Sequence, residues 1–326
     1  MKQIENRLPD IIWYYCNQQV FKSIVENHEI WLSDITKSND ANEIESGLKF
    51  AKESFKTEAE KYFQEMQDDD VKNSVINFYI REIDKAKKMF YWFAMCFSNK
   101  ENNLIHWRTY GDNGKGYAIG FDRRALKQLV NTLAQGNMRS ISMDKVKYVF
   151  PLQNRESQAD CPKDERVNFI NCINENLCSD LLALKGGVVN QNNVLYDKVK
   201  YMIRNSILEI IKSNAFYKDS DFSAESEIRL CYSRYIDYKR LKSGSIPKTS
   251  LLSSLDFIFK NGEIISHVIL KLERIQDYIK EVYVGPDNNT DIQTLYAFLA
   301  KNGGFMDNEN SSDKNVIVRK SQISCR

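Results

Sequence analysis

The sequence predicts an α+β fold with a mixed, antiparallel-rich β-sheet core and helical insertions. Three observations carry that expectation. Strand-like and helix-like segments follow one another without regular βαβ repeats, which disfavours a doubly wound sheet. Asn261-Gly262 sits between two apolar runs and marks a tight hairpin. The stretches at about 41–88 and 152–214 read as mainly helical insertions in one domain spanning 1–326.

Taken in order, Ile11 to Cys16 is an apolar, aromatic run of strand length. Asn17-Gln18-Gln19 breaks it, and Phe21, Ile24, Val25 and His28 then recur at helical spacing. Glu29 to Ser33 reads as a second strand, and the polar stretch from Asp34 to Asp40 as a loop. From Ala41 to about Lys88 the pattern is helical and heavily charged, and Asp68-Asp69-Asp70 marks a turn and the next N-cap. Met89 to Ser98 has no polar alternation, as suits a strand covered on both faces. A short helix over Leu104 to Tyr110 ends at Gly111. A strand over Gly116 to Asp122, a helix over Arg123 to Ala134 and a strand from Val146 stopped by Pro151 follow. Residues 152–166 read as a polar loop, then two helices flank Gly186-Gly187 within 167–214. Glu227 to Tyr232 is a strand, 239–250 a basic loop, and Phe257 to Leu272 the hairpin. A strand over Ile279 to Val284, a helix over Asp291 to Lys301, a loop at 307–314 and a strand over Asn315 to Arg319 close the chain.

Composition excludes several classes. The 326 residues hold 42% apolar and 28% charged side chains, enough for a sizeable core and too apolar for global disorder. With 46 basic and 44 acidic residues the net charge is +2, which argues against nucleic acid as the main partner. The amino terminus lacks a signal-peptide pattern and no apolar run is long enough to span a bilayer, so no membrane partner and a cytoplasmic location are expected. The seven cysteines, Cys16, Cys96, Cys161, Cys172, Cys178, Cys231 and Cys325, contain no CxxC, and reduced, mostly buried thiols are expected. His28, His106 and His267 share no metal-ligand spacing, and no metal is expected. GxGxxG, GxxxxGK[ST] and GxSxG are all missing.

Three groups of residues could carry chemistry. On a strand, Glu225, Glu227 and Arg229 would share one face, where the carboxylates repel and the guanidinium holds one ionised. Such a pair suits a ribose hydroxyl and a cationic, sugar-like transition state. The plainer alternative is a solvent-facing edge strand with one internal ion pair. Ser38 to Glu43 reads either as a helix-capping loop or as a polar lip over a ligand. Cys96-Phe97-Ser98 and His106 to Gly111 offer aromatic residues that either fill the core or wall a site for a flat ring, and His106 alone suggests a hydrogen-bonded structural residue.

Trp13-Tyr14-Tyr15, Ile30-Trp31-Leu32-Ser33, Asn39-Asp40-x-x-Glu43, Cys96-Phe97-Ser98, Trp107-x-x-Tyr110-Gly111, Gly116-x-Ala118-Ile119-Gly120-Phe121-Asp122, Phe222-x-x-Glu225-x-Glu227-x-Arg229 and Val284-Gly285-Pro286 occur in that order. Their combination resembles the bacterial domain-of-unknown-function 2971 family over about residues 11–323. More distantly, the chain resembles the ADP-ribosyltransferase fold. That resemblance implies a split sheet with NAD in the cleft, Glu227 as catalytic glutamate, Glu225 as its partner and Arg229 orienting it. It also implies Tyr15 as the early-strand residue, Ser98 as the central polar residue, and Trp107 or Tyr110 stacking on nicotinamide, with Ser33, Asn39 and Asp40 completing the cofactor-binding set. The acceptor would be a protein side chain, a nucleic-acid base or water, in a toxin, an anti-phage effector or a partner-gated modifier. Two other functions stay open. One is a non-catalytic module binding a nucleotide-type small molecule or a partner. The other is a Mg²⁺-dependent nuclease using Asp40, Glu43, Glu225 and Glu227.

Overall fold

The computed structural model describes residues 9–37, 42–63, 69–135, 141–149, 164–184, 194–235, 251–253, 255–260, 262–305 and 316–324. Among these, ten strands form one sheet in the order β12-β11-β4-β1-β3-β2-β10-β9, with β8 and β5 branching from β3. The strands of this sheet are β1 (Ile11–Cys16), β2 (Glu29–Asp34), β3 (Phe90–Ser98), β4 (Tyr117–Asp122), β5 (Ile141–Lys145), β8 (Glu227–Tyr235), β9 (Asp256–Lys260), β10 (Glu263–Lys271), β11 (Ile279–Val284) and β12 (Ile317–Lys320). All its pairings are antiparallel except β11 with β12. A parallel pair, β6 (Lys147–Val149) and β7 (Tyr217–Asp219), stands apart.

The helices are α1 (Gln18–Asn27), α2 (Asn42–Tyr62), α3 (Asp69–Met89), α4 (Leu104–Thr109), α5 (Arg123–Gln135), α6 (Glu165–Ala183), α7 (Val194–Asn214) and α8 (Ile292–Gly303). Asn17 breaks the apolar run of β1 because its side chain caps α1, accepting from the Val20 amide at 2.9 Å. The expected hairpin forms, with Glu263 opposite Lys260 and Gly262 at φ +79°, while Asn261 itself lies outside the described residues.

The two predicted insertions do not sit apart. Helices α2, α3, α6 and α7 share a hydrophobic cluster that includes Phe55, Tyr79, Ile170 and Ile203. The same cluster takes in Trp92 and Ala94 of β3 and Cys231 of β8, so the helices cover one face of that strand pair. The opposite face, with Phe93, Phe97, Leu230 and Tyr232, belongs to the larger core with α1, α5 and α8.

Four expectations need correction. The strand β5, with its short buried positions Ile141 and Met143, went unpredicted. The polar stretch 152–166 reads as loop, but Glu165 and Arg166 already open α6, which Asp164 caps. Glu225 does not extend β8; it ends a 3-10 turn over Ser220–Glu225, and Ser226 turns the chain at φ 47° before the strand begins. The edge-strand alternative for Glu227 to Tyr232 also fails, because β8 lies between β3 and β5. The expected loops at 239–250 and 307–314 lie outside the described residues.

Candidate functional site

Strand β3 pairs with β8 along its whole length, from Phe90 opposite Tyr235 to Ser98 opposite Glu227. Its other edge is shared. Strand β2 meets it at Phe93 and Ala94, and β1 meets it only at Ser98. Over Met95–Phe97 that edge has no strand partner among the described residues. The sheet therefore splits where β1 and β2 diverge, and a cavity of about 520 Å³ opens there. That size falls in the range of small-molecule sites.

One face of the β3–β8 ladder supplies the cavity's polar residues. Alternation places Ser98 and Cys96 of β3 beside Glu227 and Arg229 of β8 on that face. Arg229 is 1% exposed and grips Glu227 with two nitrogens, Nε to Oε1 at 2.7 Å and Nη2 to Oε2 at 3.2 Å. Its Nη1 donates to the Ala215 carbonyl at 2.8 Å. The Lys218 ammonium, carried by β7, bridges the two acids at 2.8 Å from Glu225 Oε2 and 3.3 Å from Glu227 Oε2. It also lies over the Phe222 ring, 4.6 Å from the centroid. Two carboxylates and two cations thus form one chain at the base of the cleft.

Burial opposes ionisation of Glu227, but the Arg229 guanidinium and then Lys218 outweigh it and hold the carboxyl below its ordinary value. Burial likewise works against the Lys218 ammonium, and the Glu227 and Glu225 carboxylates overcome it and raise its pKa. Cys96, an exposed free thiol opposite Arg229 on the ladder, presents its side chain to the cavity. The surrounding protein and the Glu227 carboxylate raise its thiol pKa, which keeps the thiol neutral.

Glu225 reaches the same cleft by a different route. Its backbone is pinned from β3: the Ser98 hydroxyl donates to the Glu225 carbonyl at 2.9 Å, and the Lys100 ammonium to that of Ala224 at 2.9 Å. The Tyr110 hydroxyl donates to Glu225 Oε1 at 2.8 Å. Burial and the adjoining Glu225 push the Tyr110 phenol up, which keeps it a donor. Glu225 is the more accessible acid, with 16% of its side chain exposed against 5% for Glu227.

The remaining predicted residues divide. Tyr15 lines the cleft, yet its hydroxyl donates to the Lys100 carbonyl at 3.0 Å and accepts from the Asn103 amide at 2.9 Å. Ser98 lines it too, with its hydroxyl spent on Glu225 and on the Lys100 amide. Ser33 faces the cleft from β2, opposite Ala94. Trp107 does not reach it. Its indole is fully buried, edge-on to Tyr15, with Nε1 donating to Asn102. Tyr110 and Trp31 line the cleft with their rings partly exposed. Asn39 and Asp40 lie outside the described residues, as does the side chain of Glu43.

One contributor carried no usable signal in the sequence. Lys218 is one lysine among many, and only the β6–β7 pair aims it at the acids. His106, read as a structural residue, sits between Asn103 Oδ1 at 3.0 Å and the Glu225 carbonyl at 3.2 Å. Burial lowers its pKa, and a neutral ring can donate to one of these two acceptors but not to both. Among the described residues no group of three or more His, Cys, Asp or Glu side chains is placed to hold a metal. No described helix is long and apolar enough to cross a membrane. The five described cysteines are free thiols.

Most of α4, all of β4 and the first four residues of the acid strand β8, Glu227 to Leu230, fall within one matched region. Residues 106–230 match the family model described as Protein of unknown function (DUF2971). The DUF2971 resemblance is borne out over that region, which holds Tyr110, Lys218, Glu225, Glu227 and Arg229. Trp13 to Cys16 and Cys96 to Ser98 complete the cleft from outside it. No curated protein and no solved structure matches the chain.

Proposed function

We propose that the chain uses NAD as substrate and cleaves its nicotinamide–ribose bond, as an ADP-ribosyltransferase or an NAD glycohydrolase. The observation that carries this reading is the Glu225–Lys218–Glu227–Arg229 chain at the base of a cleft in a split sheet. A fixed, ionised carboxylate there suits a ribose whose anomeric carbon becomes cationic. The bond between that carbon and the nicotinamide nitrogen breaks, and its electron pair leaves with neutral nicotinamide. Water, or a nucleophile on a protein or nucleic acid, then attacks the cation and releases one proton. The exposures divide the roles: Glu225 contacts the ribose hydroxyls, and Glu227, gripped by Arg229, supplies the buried negative charge. Tyr110 and Trp31 offer ring faces to the nicotinamide.

The test is calorimetric titration with NAD and chromatographic detection of nicotinamide. Glu225→Gln and Glu227→Gln should keep the fold and lower nicotinamide release at least 100-fold, the scale of losing one positioned catalytic group. Absence of NAD binding at millimolar concentration refutes the proposal.

A second reading, a non-catalytic binding module, is favoured by one fact. The polar atoms of Tyr15, Ser98 and His106 are all engaged with other protein groups. It predicts thermal stabilisation by NAD without product, and carboxamide substitutions that change affinity alone.

A further inference from the structure

We infer that a second cavity, on the far side of Arg229 from the cleft, is a binding site for a flat aromatic molecule carrying one hydrogen-bonding group. This cavity measures about 460 Å³ and lies between α6, the end of α7 and the β5–β8 edge. Its rings come from Trp92 of β3, Phe169 of α6 and Phe216 just after α7. Trp92 is held in place by its indole N–H, which donates to the Ile211 carbonyl at 3.3 Å.

Within these walls one polar atom is left over. Ser233 lies directly opposite Trp92 across the β3–β8 ladder and is 6% exposed. Its hydroxyl is buried with no hydrogen-bond partner among the described residues. Buried hydroxyls are nearly always paired, because an unpaired one loses water without compensation. A ring system wedged among Trp92, Phe169 and Phe216, presenting a hydroxyl or carbonyl to Ser233, would bury apolar surface and satisfy that atom together. The site differs from the cleft in chemistry as well as place. No carboxylate or guanidinium reaches its floor: its two charged residues, Glu209 and Lys212, are exposed on α7. The inference does not depend on the NAD reading, since it uses none of the acid residues.

The experiment titrates the full-length chain into 7-hydroxycoumarin and follows fluorescence anisotropy. Saturable one-to-one binding is expected. Ser233→Ala removes a hydroxyl that bonds none of the described residues, so the fold should survive, and binding should weaken about five-fold. Ser142→Trp, on the exposed rim of β5, fills the entrance and should abolish binding. Glu225→Gln, in the cleft, should leave the affinity unchanged. The inference is overturned if the wild-type chain shows no saturable binding. It is equally overturned if Ser142→Trp binds as well as wild type, if Ser233→Ala has no effect, or if Glu225→Gln abolishes the signal.

Discussion

Replacing Lys218 by methionine tests whether the acid pair at the cleft is held by charge balance. The side chain is close in length, so the change removes the ammonium and little packing. Lys218 touches both acids, at 2.8 Å and 3.3 Å, and is 5% exposed. In the native chain two negative and two positive charges cancel, and the variant leaves one buried negative charge uncompensated. Breaking a buried pair in this way costs about 3–5 kcal/mol. The lower end applies here, about 3 kcal/mol, because Glu225 keeps 16% of its side chain in contact with solvent. Combining Lys218→Met with Glu225→Gln restores neutrality and should recover more than half of that loss. Urea unfolding of the wild type, both single variants and the double variant measures the coupling directly. A loss below about 1 kcal/mol, or a double variant no more stable than Lys218→Met, would show that the network is not held by its charge balance.

Two more predictions follow from the same geometry. The folded pKa of Glu227 lies below its ordinary 4.5, so its stabilisation is present above that value and is lost as pH falls through the folded pKa. That of Lys218 lies above 10.5, so its contribution is present below that value and lost as pH rises through the folded pKa. Urea midpoints across pH should show a plateau between these limits, and Glu227→Gln should flatten the acid limb. Glycine substitutions should separate backbone contact from backbone conformation. A Cβ at Gly116 would stand 2.0 Å from the Cys16 carbonyl oxygen, so Gly116→Ala should cost several kcal/mol, about 3 or more, by thermal unfolding. Gly262→Ala meets nothing within 4 Å and should cost only its positive φ, about 1 kcal/mol.

The local elements follow closely from side-chain period and capping. Apolar runs became β1, β3 and β11, and the Asn-Gly turn set the β9–β10 register. The Glu227–Arg229 pair was legible too, because i and i+2 on a strand always share a face. Glu225 was placed on that face for the wrong reason. Its neighbour Ser226 adopts a left-handed conformation that no simple alternation foretells, and the glutamate still arrives at the cleft because Ser98 and Lys100 hold its backbone. Trp107 shows the converse. Its short helix was predicted, but whether the indole faced inward depended on Tyr15 and Asn102, which approach from other segments.

By itself, the sequence determined most of the strands and helices, β5 and β7 excepted, and the shared face of Glu227 and Arg229. These rest on interactions between residues a few positions apart, where covalent geometry leaves little choice. The tertiary structure alone decided that β1 and β2 part over β3, that Lys218 bridges the two acids, and that Ser233 faces a second cavity. Those features depend on pairings between distant segments, β1 and β2 with β3, β3 with β8 and β6 with β7, even where the residues they join, such as Lys218 and the two acids, are near in sequence; their energies come from burial and charge compensation, which exist only once those segments have packed together.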